Sequence, residues 1–154
     1  MGADKYFRYG PIGLNLNSFS NNLYKSIISG QDFKIFGNNH KTLDGTPVRD
    51  FIHVDDLANI HFESLKYLIK NKKNQICNCG YGKGYSIEHV IKTLYKNKEM
   101  NLNYSFSKKR PGDISYMVAD TKKLNRILNW KPKYSNLKKM IFSELRWRKK
   151  LTNN

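Results

Sequence analysis

Residues 33–58 read FKIFGNNHKTLDGTPVRDFIHVDDLA. A short apolar run at residues 33–36 is followed by a polar loop whose turn signal is Asp44-Gly45. A second apolar run, residues 51–54, comes directly after Arg49 and Asp50 and opens an amphipathic segment. This order describes a loop that carries a fixed cation into a pocket between two rigid elements. It predicts a strand over 33–36, a loop over 38–48 and a strand over 51–54. A helix capped by Asp55 or Asp56 follows, with Leu57, Ile60, His61, Ser64, Leu65 and Leu68 on its inner stripe.

Outward from that block, helices alternate with short strands. Ser20 is placed to cap a helix that carries Leu23, Ile27 and Ile28 and stops at Gly30. Residues 1–18 show no period and read as loop. A strand is expected over 75–79 and a glycine loop over 81–85. Ser86 then caps a helix with Ile87, Val90, Ile91, Leu94 and Tyr95 inward. Residues 102–106 alternate as a strand should. Asp120 caps a helix with Leu124, Ile127 and Leu128 inward, stopped before Pro132. Ser135 opens a last helix with Leu137, Met140, Ile141, Leu145 and Trp147. The pattern predicts an α/β layer in a single unit without repeats or linkers.

Composition sets the outer limits. The chain has 154 residues, 39% of them hydrophobic and 13% aromatic, enough for one domain with a true core. No apolar run approaches the roughly 20 residues of a membrane span, and the first residues lack a signal-peptide pattern. A soluble cytoplasmic protein is the expectation. Cys77 and Cys79 share one strand face; a disulfide between them would be strained, and no second pair completes a metal set. They read as two reduced, buried thiols. The formal net charge is +16, which draws anionic ligands. The lysines are scattered, clustering only at 70–73, 108–110 and 146–150. Lysine far outnumbers arginine, unlike a base-reading surface. A nucleic-acid module is therefore the minor reading.

Two arginines stand out as chemistry. A guanidinium fork matches the oxygens of a diphosphate, so Arg49 and Arg110 are candidate phosphate ligands. The plain alternative for Arg49 is a salt bridge to Asp50 or Asp56, and for Arg110 a surface charge beside Lys108 and Lys109. Asp113 can accept from both hydroxyls of a ribose, or can be a turn carboxylate. Phe36 and Lys34 share one face of the 33–36 strand, where a base can pack on the aromatic ring. Asn22 lies near a helix start, where free N–H groups meet anions. The alternatives for Phe36 and Asn22 are core packing and capping.

These pieces stand in the order of a known family. Gly2-Ala3-Asp4, Asn21-Asn22-Leu23, residues 33–37, Thr42, Asp44-Gly45-Thr46, residues 49–54 and Asp56-Leu57-Ala58 all belong to the pattern. So do Asn78-x-Gly80-x-Gly82-x-Gly84, Arg110-x-Gly112-Asp113, Ala119-Asp120 and Trp130-x-Pro132. Together they resemble the UDP-glucose 4-epimerase family of extended short-chain dehydrogenases/reductases. The resemblance implies the C-terminal part of that fold: a partial Rossmann sheet plus a small mixed α/β substrate-binding domain. Residues 1–154 would form the UDP-sugar-binding domain, with the NAD-binding domain absent. It implies Asn22, Leu23, Lys34, Phe36, Arg49, Arg110, Asp113 and Met117 as UDP-sugar ligands. Met117 would favour glucose and galactose over their N-acetyl forms.

The same resemblance implies where chemistry stops. The family takes a hydride on NAD and uses a Tyr-x-x-x-Lys pair as base. The glycine loop at 80–84 lacks the G-x-G-x-x-G spacing and reads as a tight turn. Tyr134 and Lys138 have the right spacing in the wrong place and read as coincidence. No catalytic or cofactor-binding residue is therefore expected here, and NAD is expected only in the complete enzyme. The implied partners are a UDP-sugar, a separately encoded NAD-binding half and a homodimer mate. The alternatives are a UDP-sugar-binding remnant without turnover, part of a related dehydratase or decarboxylase, and the nucleic-acid module. The Asp44-Gly45-Thr46 insertion argues against a dehydratase or decarboxylase.

Overall fold

The computed structural model describes residues 1–12, 18–95 and 102–152. Helix α1 (Phe19–Ser29) starts at Ser18, whose hydroxyl accepts from the Asn21 N–H, and ends at Gly30 with φ 69°. The start lies two residues before the expected Ser20. Strand β1 (Phe33–Phe36) follows as expected and alternates between buried Phe33 and Ile35 and the more open Lys34 and Phe36. It pairs in parallel with β4 (Tyr104–Ser107), with Phe33 opposite Tyr104.

The second sheet is small and mixed. Strand β2 (Val48–Arg49) sits between antiparallel β3 (Tyr85–Ser86) and parallel β5 (Tyr116–Met117). Residues 38–47 close the loop ahead of β2 around Asp44. Its carboxylate accepts from Ser86 Oγ and from the Thr46 N–H (3.0 Å) and hydroxyl (2.7 Å). Gly45, at φ 76°, has no room for a side chain: a Cβ would lie 2.1 Å from the Asn38 carbonyl oxygen.

Helix α3 (Ile87–Tyr95) is capped as expected by Ser86 Oγ, which accepts from the His89 N–H at 3.2 Å. Helix α4 (Lys122–Leu128) has Thr121 as its N-cap, without a side-chain cap bond, in place of the expected Asp120, whose carboxylate accepts from the Lys122 N–H one residue further on. Helix α5 (Leu137–Thr152) buries all five residues expected to face inward. Its ridge joins Leu23, Ile35, Val90, Ile91 and Leu94 in the main core. A second, smaller core holds Ile60, Leu124 and Trp130.

Several expectations are corrected. Residues 51–53 are not a strand; they lead directly into α2 (Val54–Asn71), whose N-cap is His53 in place of an aspartate. The His53 Nδ1 accepts from the Asp55 N–H at 3.1 Å. Residues 75–79 are also not a strand. They make no backbone–backbone hydrogen bond among the described residues, because no neighbouring strand lies beside them. Finally, α2 buries only Asp56 and Ile60. Of the expected inner stripe Ile60 is buried and Leu57 half-buried, while His61, Ser64, Leu65 and Leu68 are exposed. Cys77 is half-buried and Cys79 exposed, so the thiols are free but not both buried.

Charge also enters the core. Glu144 and Arg148 on α5 are buried and paired at 2.9 Å. The Glu144 carboxylate accepts from the Gly2 N–H (2.9 Å), and Arg148 donates to Asn21 Oδ1 (2.9 Å). The Met1 ammonium donates to the Ile52 carbonyl at 2.8 Å. This network ties the first residues of the chain to α1 and α5. Arg148 fell within the basic run 146–150, which sequence alone presents as a solvated face.

Candidate functional site

A cavity of about 520 Å³ opens between α1, β1 and the loop that holds Arg110 and Asp113. Its formation follows from the alternation of β1. Phe33 and Ile35 anchor the strand in the core, so Lys34 and Phe36 stand on the more open side. The α1 residues Phe19, Asn22, Lys25 and Ser26, at helical spacing, form the facing wall. Strand β2 delivers Arg49 to the cavity, and Pro47 and Ile87 add apolar floor.

Both arginines reach this one cavity. Arg49 donates through one terminal nitrogen to the carbonyls of Val48 (2.8 Å) and Ile114 (2.7 Å). Through the other it donates to Asp113 Oδ1 at 2.6 Å. Its partner is therefore Asp113, and neither of the neighbouring acids considered from sequence. Arg110 lies with its guanidinium 3.6 Å from the centroid of the Phe36 ring. Such a stack is worth about 0.5–2 kcal/mol and orients the cation over the cavity. A turn closed by the Asp113 N–H on the Arg110 carbonyl (3.2 Å) holds both residues at the same rim.

The remaining candidates divide. Asn22 and Lys34 line the cavity, and the Lys34 ammonium donates to Ser105 Oγ at 2.7 Å. Asn22 is not at the helix start: its N–H already donates to the Ser18 carbonyl. The orphan amides of α1 precede it, because the N-cap is Ser18. Leu23 points into the main core at 1% exposure, and its side chain lines no part of the cavity. Met117 lies on β5, 53% exposed and outside the cavity wall. Phe36 lines the cavity as well, and Arg110 covers one face of its ring. Lys25, Ser26 and Asp32 were missed. Nothing in their sequence context marks them, and only the packing of α1 against β1 brings them to the cavity.

Two acids of the decisive stretch are structural. Asp50 accepts from the N–H groups of Tyr81 (3.1 Å), Gly82 (2.9 Å) and Ala119 (3.4 Å). Gly80 packs so tightly there that a Cβ would lie 2.5 Å from the Asp50 carboxylate. Asp56, fully buried, accepts from the Tyr81 hydroxyl (2.6 Å) and from the N–H groups of Lys133 and Tyr134. Burial, followed by this bond to Asp56, raises the Tyr81 phenol well above its ordinary value.

The glycine loop does not fit a dinucleotide. The amides of Tyr81 and Gly82, which would cradle a phosphate, are already spent on Asp50. Tyr134 stacks on His53 with centroids 4.7 Å apart, and the Lys138 ammonium lies 5.9 Å from the Phe142 centroid. Neither residue lines the cavity with the arginines.

Residues 8–80 match the NAD dependent epimerase/dehydratase family. The chain is 37% identical over 129 residues to a UDP-glucose 4-epimerase of Lactobacillus helveticus, covering 83% of this chain and 39% of that protein. It is 35% identical over 149 residues to a UDP-glucose 4-epimerase of Bacillus subtilis, covering 94% of this chain and 44% of that protein. The fold superposes on the Stenotrophomonas maltophila UDP-glucose-4-epimerase with bound NAD and formylated UDP-arabinopyranose. That match has a TM-score of 0.90 at 26% identity, over 99% of this chain and 46% of the other. The Bifidobacterium longum enzyme in complex with NAD+ and UDP gives 0.82 at 31% identity, over 99% and 45%. The chain spans less than half the length of these relatives, and over that span its sequence and fold are similar to UDP-glucose 4-epimerases.

Proposed function

We propose that residues 1–154 are the UDP-sugar-binding part of a UDP-glucose 4-epimerase-like enzyme. The carrying observation is the convergence of Arg49 and Arg110, 61 positions apart by number, on one cavity with Asp113 between them. A diphosphate supplies the oxygens that both forks require. In this reading the nucleotide draws Arg49 from Asp113, and the freed carboxylate accepts from the ribose hydroxyls. The net positive charge of the chain favours capture of such an anion.

The chain alone is inactive in this reading, since its glycine loop and its Tyr134–Lys138 pair do not supply a cofactor site or a base. Interconversion of UDP-glucose and UDP-galactose requires an NAD-binding part, supplied by a second polypeptide or by further sequence. The exposed apolar side of α2 and the unpaired 75–79 backbone support such a partner. Nucleic acid is a poor fit, because the converging cations are two arginines at one cavity with apolar residues Phe33, Pro47 and Ile87 in its wall. No helix among the described residues is long and apolar enough to cross a membrane.

Calorimetric titration of the chain with UDP and UDP-galactose tests the reading. Saturable binding is expected, weakened about 10- to 100-fold by Arg49→Ala, given about 1.5–3 kcal/mol for a charge-assisted bond. Absence of saturable heat with either ligand would remove it. The enzymatic part is tested by adding an NAD-binding part and NAD and following UDP-galactose conversion.

A further inference from the structure

His40 lies in the polar loop that joins β1 to β2, yet it is only 4% exposed. Its ring is engaged at both nitrogens. Nε2 meets the Phe36 carbonyl at 3.1 Å, and Nδ1 meets the Ser115 hydroxyl at 3.2 Å. A carbonyl oxygen can only accept, so Nε2 carries a hydrogen and donates it there. The ring sits directly on the chain: a Cβ at Gly37, whose φ is 89°, would lie 2.6 Å from Nε2. The His40 N–H donates to the Gly45 carbonyl at 2.9 Å, which fixes the backbone from which the ring projects.

The two partners of this ring belong to the supports of the two arginines. Phe36 carries the Arg110 guanidinium on its face. Ser115 follows Ile114, whose carbonyl accepts from Arg49 at 2.7 Å. The Ser115 carbonyl also accepts from the N–H of Val48, the neighbour of Arg49, at 2.8 Å. Strands β1 and β2 lie in different sheets, so among the described residues no ladder sets their spacing. The His40 ring itself lines no part of the cavity. From this wiring we propose that His40 is a positioning residue. It holds the Phe36–Arg110 stack at a fixed separation from the Val48–Arg49 support, so that one diphosphate engages both forks at once. The inference rests on the reading of the cavity as a nucleoside diphosphate site. Two forks held at the spacing of linked phosphates gain affinity because the second contact needs no further ordering. A loose pair grips one phosphate and must be organised for the other.

The test compares UDP with UMP by calorimetry on the full chain, with the thermal midpoint as the control for folding. UMP carries one phosphate and asks for one fork, whereas UDP asks for both. The wild type is expected to bind UDP at least about 10-fold more tightly than UMP. His40→Phe fills a similar space without either bond, and is expected to cut that ratio at least about 5-fold while UMP affinity stays within about 2-fold. His40→Gln carries a donor and an acceptor on one amide, and is expected to bring the ratio back to within about 2-fold of the wild type. A residue that only stabilised the fold would lower the midpoint and leave the ratio alone. An unchanged ratio in folded His40→Phe, or equal losses in the Phe and Gln variants, overturns the positioning role. Should His40→Phe not fold, Ser115→Ala removes one of the two bonds, and an unchanged ratio there overturns it equally. The diphosphate reading then still stands, provided Arg49→Ala weakens UDP more than UMP. A wild-type ratio of one removes the positioning role, and no binding of either ligand removes both readings.

Discussion

On α3, Val90, Ile91 and Leu94 are each no more than 1% exposed, whereas on α2 Phe62, Leu65 and Ile69 are each more than half exposed. Both regions were written in the same amphipathic code. The first meets its complement within the chain: α5, α1 and β1 close over α3. The second packs on α4 and Trp130, and among the described residues the neighbouring backbone of residues 75–79 has no strand to pair with. An apolar stripe states that a face wants cover and leaves open what covers it. Exposed apolar surface beside unpaired backbone marks an interface or an aggregation hazard. The difference is thus between a region whose apolar face is covered within the described residues and one whose face is not.

The sharpest way to break the finished side is Arg148→Ala. It strands the buried Glu144 carboxylate, and removing one partner of a buried pair costs about 3–5 kcal/mol. Urea unfolding followed by circular dichroism is expected to show a loss of this size; a loss below about 1 kcal/mol would mean that Glu144 finds water. Next in size is a direct contrast. Ile91→Ala is expected to cost about 2–5 kcal/mol, and Leu65→Ala within about 0.5 kcal/mol. Equal costs by the same measurement would mean that α2 is covered in solution, for instance by self-association.

A smaller effect follows from pH. Burial holds His53 below its ordinary value, and its neutral Nδ1 caps α2. A histidine lowered in the folded state binds fewer protons there than in the unfolded chain. Its contribution is intact above about pH 6.5 and is lost as pH falls below that value. Asp4 adds a second window. Burial opposes its ionisation, but the N–H groups of Tyr9 and Arg8 and the Arg8 side chain outweigh it and lower it to about 2. That contribution is lost between about pH 4 and pH 2. Thermal midpoints are expected to fall in both windows, and His53→Asn, which keeps a capping acceptor, is expected to flatten only the upper one. The smallest effect on folding is Ile76→Lys. At 89% exposure Ile76 contributes little to stability, so the midpoint is expected to hold while light scattering reports less association. Unchanged association would locate the sticky surface elsewhere.

Much of the molecule was legible because its signals are local. Ser86 and Gly30 announce helix ends through their own side chains or lack of one. The turn at Asp44-Gly45 and the alternation of residues 33–36 are equally self-contained. The strands expected over 51–54 and 75–79 failed because a strand exists only against a neighbour, and apolar β-prone residues do not name one. The site divides in the same manner. Arg49, Arg110, Asp113 and Phe36 could be singled out by residue type and motif. That Asp113 holds Arg49, and that Arg110 takes the face of Phe36, could not.

The linear chain by itself determined the α/β alternation, the Ser86 cap and Gly30 stop, the main core on α5 and the family pattern, because each depends on periods of two or 3.6 and on residues a few positions apart. Only the tertiary structure decided that Leu23 belongs to the core and Lys25 to the cavity, that Glu144 and Arg148 are buried as a pair, and that one side of α2 is bare. Those facts rest on distances between segments up to 142 positions apart, as between Gly2 and Glu144. Local chemistry fixes what each segment can do, and packing fixes what it meets.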